Sequence, residues 1–338
     1  MTNQGVTSQY FGQLTTEDKR LLDLLQSDFP LVSEPFKVLS QKMNISQGRL
    51  IEQVQGFKER GVIRHIRGTF ESRKLGYRST LVAMSVAPAE LDAVATQVSQ
   101  HPGVSHNYSR EHDYNIWFTL TLPPDDSIER TVDSFASTSG VGKTHILPAL
   151  RVFKIDVRFD MLDKRVKPGG LDVENSSIPA EPEPLSDLDV GGVRQLQTDL
   201  ALVERPFAPM AESLSIPTAE FLELAQGFLK RRVMRRYGAV LNHRRAEYTA
   251  NAMVCWIVPP ARIEKVGRTM ASFPAVTHCY ERPTFADWPY NMFTMIHGHA
   301  PEECRDIAGE IARKTGIESY ILLYSTREYK KESIKYFV

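Results

Sequence analysis

The sequence predicts an α+β fold built from two copies of one unit, each a winged helix-turn-helix followed by a ferredoxin-like βαββαβ domain, related by a pseudo-twofold axis. Three observations carry this: an internal repeat, a change of hydrophobic period within each copy, and an acidic proline-rich segment between the copies. The stretch SEPFKVLSQKMNISQGRLIEQVQGFKERGVIRH aligns with VERPFAPMAESLSIPTAEFLELAQGFLKRRVMRR, placing Pro35 on Pro206 and Gly56 on Gly227, 171 residues apart in both pairs. HPGVSHNYSRE aligns with FPAVTHCYERP, so His106, Tyr108 and Arg110 fall on His278, Tyr280 and Arg282, 172 residues apart. Tyr114 and Asn115 fall on Tyr290 and Asn291. Such a repeat is one folding unit duplicated, and fused copies favour the geometry that two subunits adopt in a homodimer.

In chain order, a helix is expected from Glu17 to Gln26, capped by Thr16, with Leu21, Leu22, Leu24 and Leu25 on its apolar side. A second starts at Pro35, a good first helical residue, and a third after a Ser46 cap, carrying Leu50, Ile51, Val54 and Phe57 up to Gly61. A strand hairpin, Val62–Arg67 then Phe70–Leu75, completes the first winged helix-turn-helix. The pattern then becomes strand Tyr77–Val86, helix Ala89–Gln100, strands Val104–Arg110 and Tyr114–Leu122, helix Asp125–Thr138 and strand Thr144–Val157. Between Leu171 and Asp189 six acidic residues and three prolines stand without a basic one, the composition of an extended linker. The expected divisions are 14–76, 77–160, a linker 161–186, 187–247 and 248–338.

Composition bounds the function. Lys plus Arg and Asp plus Glu both number 41, so no global field draws the chain to nucleic acid, and attraction must come from local patches. No run approaches the roughly eighteen apolar residues of a membrane span, and MTNQGVTSQYFGQ lacks the regions of a signal peptide, so a cytoplasmic location is expected. Cys255, Cys279 and Cys304 form no CxxC pair and suggest neither a disulfide frame nor a zinc site.

The densest local patch is Lys230–Arg245, KRRVMRRYGAVLNHRR, with seven basic side chains, His243 and no carboxylate. It reads as a strand from Val233 to Tyr237, a turn at Gly238 and Ala239, and a return strand, with Arg235 and Tyr237 on one face and Met234 and Arg236 on the other. Nucleic acid, an acidic protein and a polycarboxylate ligand all fit such a patch. For DNA, a recognition helix needs basic or amide groups at its N-terminal end. Gln47 and Arg49 qualify in the first copy, but the second offers Glu220 and Glu223, which duplex phosphates repel. Beyond the patch, His278, Tyr280 and Arg282 share a strand face, Trp288 and Tyr290 lead into the next strand, and His297 and His299 close it. Imidazole, phenol and guanidinium beside a basic strand suit a flat, carboxylate-rich ligand. Lone strand histidines and aromatic residues are more often structural. His243, among arginines whose field favours its neutral form, suits a proton shuttle. The spacing of His297 and His299 would fit two metal ligands, but no third is apparent.

The domain order resembles the Lrp/AsnC family of transcription regulators. RRYGAVLNHRR and THCYERPTFADWPYNMFTMIHG are similar to motifs of the sirohaem decarboxylases, an Lrp-like group of enzymes, in their fused two-unit NirDL form. That resemblance implies non-oxidative removal of carbon dioxide from two acetate side chains of sirohaem, giving 12,18-didecarboxysirohaem in haem d1 biosynthesis, with no added cofactor. It assigns His243 as proton donor and His278 as a second acid or as an axial ligand to the sirohaem iron. Arg235, Arg236, Arg244 and Arg282 would hold carboxylates, and Tyr237, Tyr280, Trp288 and Tyr290 would orient or cover the ring. The first copy has His65, Ile66 and Ser72 in place of Arg236, Tyr237 and His243, while keeping Arg64, Arg67, His106, Tyr108 and Arg110. One pocket, mainly from the second copy and walled by the first, is therefore expected. Sirohaem as partner, a paralogous NirGH-like decarboxylase complex and a homo-oligomer fit this reading. A DNA-binding regulator or a non-catalytic haem sensor are the alternatives.

Overall fold

The structure, a computed structural model, describes residues 14–155, 158–159, 166–167, 182, 184–241 and 250–338. The first copy opens with α1 (Thr16–Ser27), α2 (Pro35–Met43), α3 (Gln47–Glu59) and β1 (Ile63–Phe70). It continues with β2 (Arg78–Val86), α4 (Leu91–Gln100), β3 (Val104–Arg110), β4 (Ile116–Leu122) and α5 (Ile128–Ala136), and ends in β5 (Val141–Pro148) and β6 (Arg151–Ile155). Two short strands, β7 (Arg158–Phe159) and β8 (Val166–Lys167), pair with each other; most of the expected linker lies outside the described residues. The second copy runs α6 (Asp187–Leu196), α7 (Ala208–Ser213), α8 (Thr218–Lys230), β9 (Met234–Leu241), β10 (Ala250–Trp256), α9 (Ile263–Ala271), β11 (Val276–Glu281), β12 (Met292–Gly298), α10 (Pro301–Thr315) and β13 (Tyr320–Lys331).

Local sequence explains most of these boundaries. Thr15, not Thr16, caps α1, in a reciprocal box with Asp18 that satisfies two otherwise orphaned donors. Pro35 opens α2, and the Ser46 hydroxyl accepts from the Arg49 amide to start α3.

The wings differ from expectation. Among the described residues neither wing pairs with itself: β1 pairs antiparallel with β9, so each wing completes the other. Arg67 stands opposite Gly238, its own equivalent under the 171-residue offset, which puts the pseudo-twofold axis through that pair. Gly238 and Ala239 therefore lie within a strand rather than a turn. Pairing across the copies satisfies the backbone groups that two lone edges would leave open. A bulge changes the faces as well. Thr69 opposes Arg236 and Phe70 opposes Met234, leaving Arg235 as the extra residue. Strict alternation is broken there, and Met234 and Tyr237 both enter the core.

That core is common to both helix-turn-helix units. Leu21, Leu25, Phe36 and Phe57 of the first pack in one cluster with Phe207, Phe221 and Phe228 of the second. Each fully buried side chain of this size contributes about 1.5–3 kcal/mol. Glu220 and Glu223 on α8 face solvent, so that helix shows carboxylates where a duplex would approach.

The ferredoxin-like halves form one nine-stranded sheet, ordered β5-β2-β4-β3-β13-β10-β12-β11-β6. Its two ends, β5 and β6, are separated only by Ala149 and Leu150, so the sheet returns on itself. The last strand of each copy serves both: β5 pairs with β2 and β6 with β11, while β13 pairs with β10 and then with β3. Helices α4 and α5 cover the outer side of one half, and α9 and α10 that of the other. Alternate residues, among them Ala83, Trp117, Leu147, Met253, Cys255, Phe293 and Leu323, fill the interior.

Gly238 is required by close approach: a Cβ there would sit 2.5 Å from the Leu25 carbonyl oxygen and 3.0 Å from that of Gln26, at the end of α1. Gly238→Ala is expected to destabilise the protein by about 2 kcal/mol or more, read as a lower melting temperature. An unchanged melting curve would show that α1 moves aside freely.

Candidate active site

The H-x-Y-x-R motifs of the two copies face each other inside the closed sheet. On β11 the alternation of the strand carries His278, Tyr280 and, just beyond its end, Arg282 to the inner face. On β3 it does the same for His106, Tyr108 and Arg110. The arginines, expected among the ligand contacts, belong to the seam. Arg110 Nη1 donates to the Leu323 carbonyl of the second copy at 2.5 Å, and Arg282 Nη1 donates to the Leu147 carbonyl of the first. The Arg282 guanidinium lies 4.8 Å from the Tyr280 ring centroid, that of Arg110 5.8 Å from Tyr108. Burial lowers both pKa values to about 10, so both stay charged at neutral pH.

The histidines form a second group in the interior. Both strands bulge at the residue before the histidine: His278 opposes Met295 with Thr277 extra, and His106 opposes Thr119 with Ser105 extra. The bulge brings a buried hydroxyl beside each imidazole. Thr277 Oγ1 lies 3.0 Å from His278 Nδ1, and Ser105 Oγ lies 2.9 Å from His106 Nδ1. His297, from β12, places its Nε2 3.0 Å from the same Thr277 oxygen. It does not join His299, whose backbone amide turns to the Glu303 carboxylate at the start of α10.

Electrostatics agree with the grouping. Burial, then the His297 and His106 rings, then the Arg235 and Arg282 guanidiniums hold His278 down at about 3. Burial, Lys331 and Arg64 lower His106 to about 4, and burial with Lys331 lowers His297 to about 4. All three are therefore neutral at pH 7, in a site ringed by cations. Burial also raises the Tyr280 phenol, which Arg282 and Arg235 pull the other way.

The wing supplies those cations unevenly. Arg235 reaches the site but is paired with Glu71 of the other wing, at 2.6 Å, a partner the sequence patch itself lacks. Arg64, its repeat equivalent and one of the residues the first copy keeps, is exposed and acts on His106. Arg236 instead donates to the Gln26 and Ala239 carbonyls. Tyr237 is packed between Phe29 and Phe207, with centroids 5.6 and 5.5 Å away, and is buried in the helix-turn-helix core. Arg67 donates to the Gln197 carbonyl at 3.3 Å, and Asp199 acts on both His65 and Arg67. His243 and Arg244 lie outside the described residues.

Beyond Arg282 the chain crosses into the first copy. Trp288 is 1% exposed and plugs the interior against Trp117, Tyr114 and His112, so it packs rather than covers. Tyr290 lies 4.9 Å from it and is partly exposed. Asp287 accepts from the Tyr114 hydroxyl at 2.9 Å and from Lys143 at 2.7 Å, and meets His145 Nε2 at 2.9 Å. These partners are 142 to 173 residues apart in sequence, and no local pattern announces them.

Comparison with known proteins agrees with this arrangement. The "AsnC-like ligand binding domain" family model matches residues 74–154 and 245–330, and the "Siroheme decarboxylase NirDL-like HTH domain" model matches 18–64 and 193–235. A sirohaem decarboxylase of Hydrogenobacter thermophilus is 42% identical over 95% of both chains, and the NirDL subunit of the Paracoccus denitrificans enzyme 31% identical over 93% of this chain and 95% of its own. The beta subunit from Methanosarcina barkeri, 43% identical, is matched over 97% of its length by 44% of this chain, as expected of one copy. A crystal structure of the sirohaem decarboxylase NirDL superposes with a TM-score of 0.75 at 39% identity, covering 95% of this chain and 94% of that one. A second, in co-complex with an iron-uroporphyrin III analogue, gives 0.74 at 38% identity and 95% of each. With both copies matched and relatives aligned over nearly their whole length, the chain belongs to the sirohaem decarboxylase family in its fused NirDL form.

Proposed function

We infer that this protein is a sirohaem decarboxylase, a carbon–carbon lyase that removes carbon dioxide from acetate side chains of sirohaem without oxidation. The observation that carries the reading is the trio of neutral imidazoles, His106, His278 and His297, gathered from both copies among Arg64, Arg235 and Lys331. Sirohaem is a planar macrocycle edged with carboxylates. Cations at the wing end of the interior suit those carboxylates, and the phenols of Tyr108 and Tyr280 suit the ring.

Decarboxylation breaks the bond between the acetate methylene and its carboxylate. The electron pair stays on the methylene carbon, delocalised into the macrocycle, and one proton then completes the methyl group. The ring is the electron sink, and we propose that no added cofactor is needed. The protein binds the remaining carboxylates, excludes water and delivers the proton. His278 and His243 are the candidate donors, with His278 supported by its place in the interior. Two successive losses from two acetates would give 12,18-didecarboxysirohaem, the step expected in haem d1 biosynthesis. Among the described residues no helix is long and apolar enough to cross a membrane. A paralogous decarboxylase complex and a homo-oligomer remain proposals, motivated by relatives named as subunits.

Anaerobic incubation with sirohaem, followed by mass spectrometry, tests the reading: each turnover loses one carbon dioxide, and an unchanged substrate mass after prolonged incubation would refute it. His278→Ala and His243→Ala are each expected to lower kcat by about 10²-fold or more while the melting temperature and sirohaem binding hold; full activity would remove that residue from the mechanism.

The imidazoles also set a pH dependence. Their folded-state pKa values of about 3 to 4 lie below the ordinary histidine value of about 6.5. The unfolded chain therefore binds more protons, and stability, full above that pH, falls as pH drops toward 4. Substrate carboxylates favour the charged rings, so saturating sirohaem is expected to raise the melting temperature more at pH 5.5 than at pH 7.5. An equal rise at both would show that binding takes up no proton.

A further inference from the structure

We propose that Thr277 and His297 are positioning residues that lock His278 in the tautomer bearing its proton on Nε2, which makes His278 a proton donor to the substrate and excludes it as an iron ligand. The inference deepens the decarboxylase reading and rests on it for its functional part only.

The three groups form one chain of contacts. His297 Nε2 and His278 Nδ1 each lie 3.0 Å from Thr277 Oγ1. A hydroxyl has one proton to give. If His297 donates from Nε2, it fills an acceptor site of the threonine oxygen, and the hydroxyl proton is free to point at His278 Nδ1. The other acceptor within reach is the Met295 carbonyl, at 3.4 Å the poorer partner. Nδ1 of a neutral ring that accepts cannot carry the proton, so Nε2 does. A nitrogen carrying hydrogen can donate but has no lone pair for a metal.

Each group is held where the chain needs it. The β-bulge at Thr277 sets the hydroxyl beside the imidazole, and Thr277 is fully buried, away from competing water. The first copy is the internal control. Ser105 repeats the bulge and the contact to His106, but Thr121 stands where β12 has His297, and its hydroxyl donates to Ser79. Only the second copy carries the third member, so only its histidine is locked.

In the half-reaction, the electron pair left by departing carbon dioxide takes the His278 Nε2 proton. Thr277 keeps its hydroxyl proton hydrogen-bonded to Nδ1, and one proton from solvent then returns to Nε2, which restores the neutral ring. No oxidant or reductant enters.

The test begins with substrate-free protein labelled with ¹⁵N-histidine, the His278 signal being assigned by its loss in His278→Asn. Wild type is expected to show His278 with hydrogen on Nε2, and Thr277→Val or His297→Leu to shift it toward a mixture. A proton on Nδ1 in wild type, or an unchanged tautomer in both variants, would overturn the proposal whatever the enzyme's activity. With sirohaem, the same two variants should lose about 10²-fold in kcat with KM little changed, and Thr277→Ser and His297→Gln, which keep the donors, should recover most of that loss. Equal losses in conservative and disruptive variants, or a loss in KM alone, would also overturn it.

Discussion

The exchange of last strands between the copies is the constraint on which the rest depends. β13 leaves its own sheet to pair with β3, and β6 leaves the first copy to pair with β11. Each crossing is pinned by a buried guanidinium from the copy that receives it: Arg110 on the Leu323 carbonyl, Arg282 on that of Leu147. Each guanidinium also has an Nε that is buried without a partner among the described residues, so losing the carbonyl contact would leave the cation still less compensated. The closed sheet that results has an inner face drawn from both copies, and neither could form the site alone.

Inside that sheet, apolar packing and chemistry occupy different parts. Trp117, Trp288, Phe293 and Leu323 fill one part at close density, while the His106, His278 and His297 rings stand nearer the wing. Burial and the charges of Arg64, Arg235 and Lys331 all favour the neutral imidazoles, at the cost of a concentrated positive field. An anionic ligand would offset that field. The helix-turn-helix pair is built as one unit rather than two. Its two cores have merged, its wings pair with each other, and α8 offers Glu220 and Glu223 to solvent. It carries Arg64 and Arg235 to the histidines.

The pseudo-twofold is real in backbone and broken in side chains. Arg67 faces Gly238, and the bulges at Ser105 and Thr277 are equivalent. Yet Thr121 occupies the position of His297, and the loop carrying Asp287 and Trp288 has no equal in the first copy. Duplication supplied a symmetric frame, and divergence of a few residues placed different chemistry in its halves.

Much of this could be read before folding. The repeat, the helix starts at Pro35 and Ser46, the βαββαβ order and the H-x-Y-x-R faces follow from local propensity and period, which depend only on neighbours in the chain. The motifs of the second copy likewise indicated the family. What escaped depends on partners far apart in sequence. Arg235 looked free because Glu71 comes from the other wing. Tyr237 looked ligand-facing because a bulge cannot be seen in one strand. Arg282 did so because its carbonyl partner lies in the other copy, and His297 looked coupled to His299 until tertiary packing brought Thr277 to it. Sequence determined which groups were available. Only the closing of one sheet from two copies decided which of them meet, because register and strand exchange are set by long-range pairing rather than by any local preference.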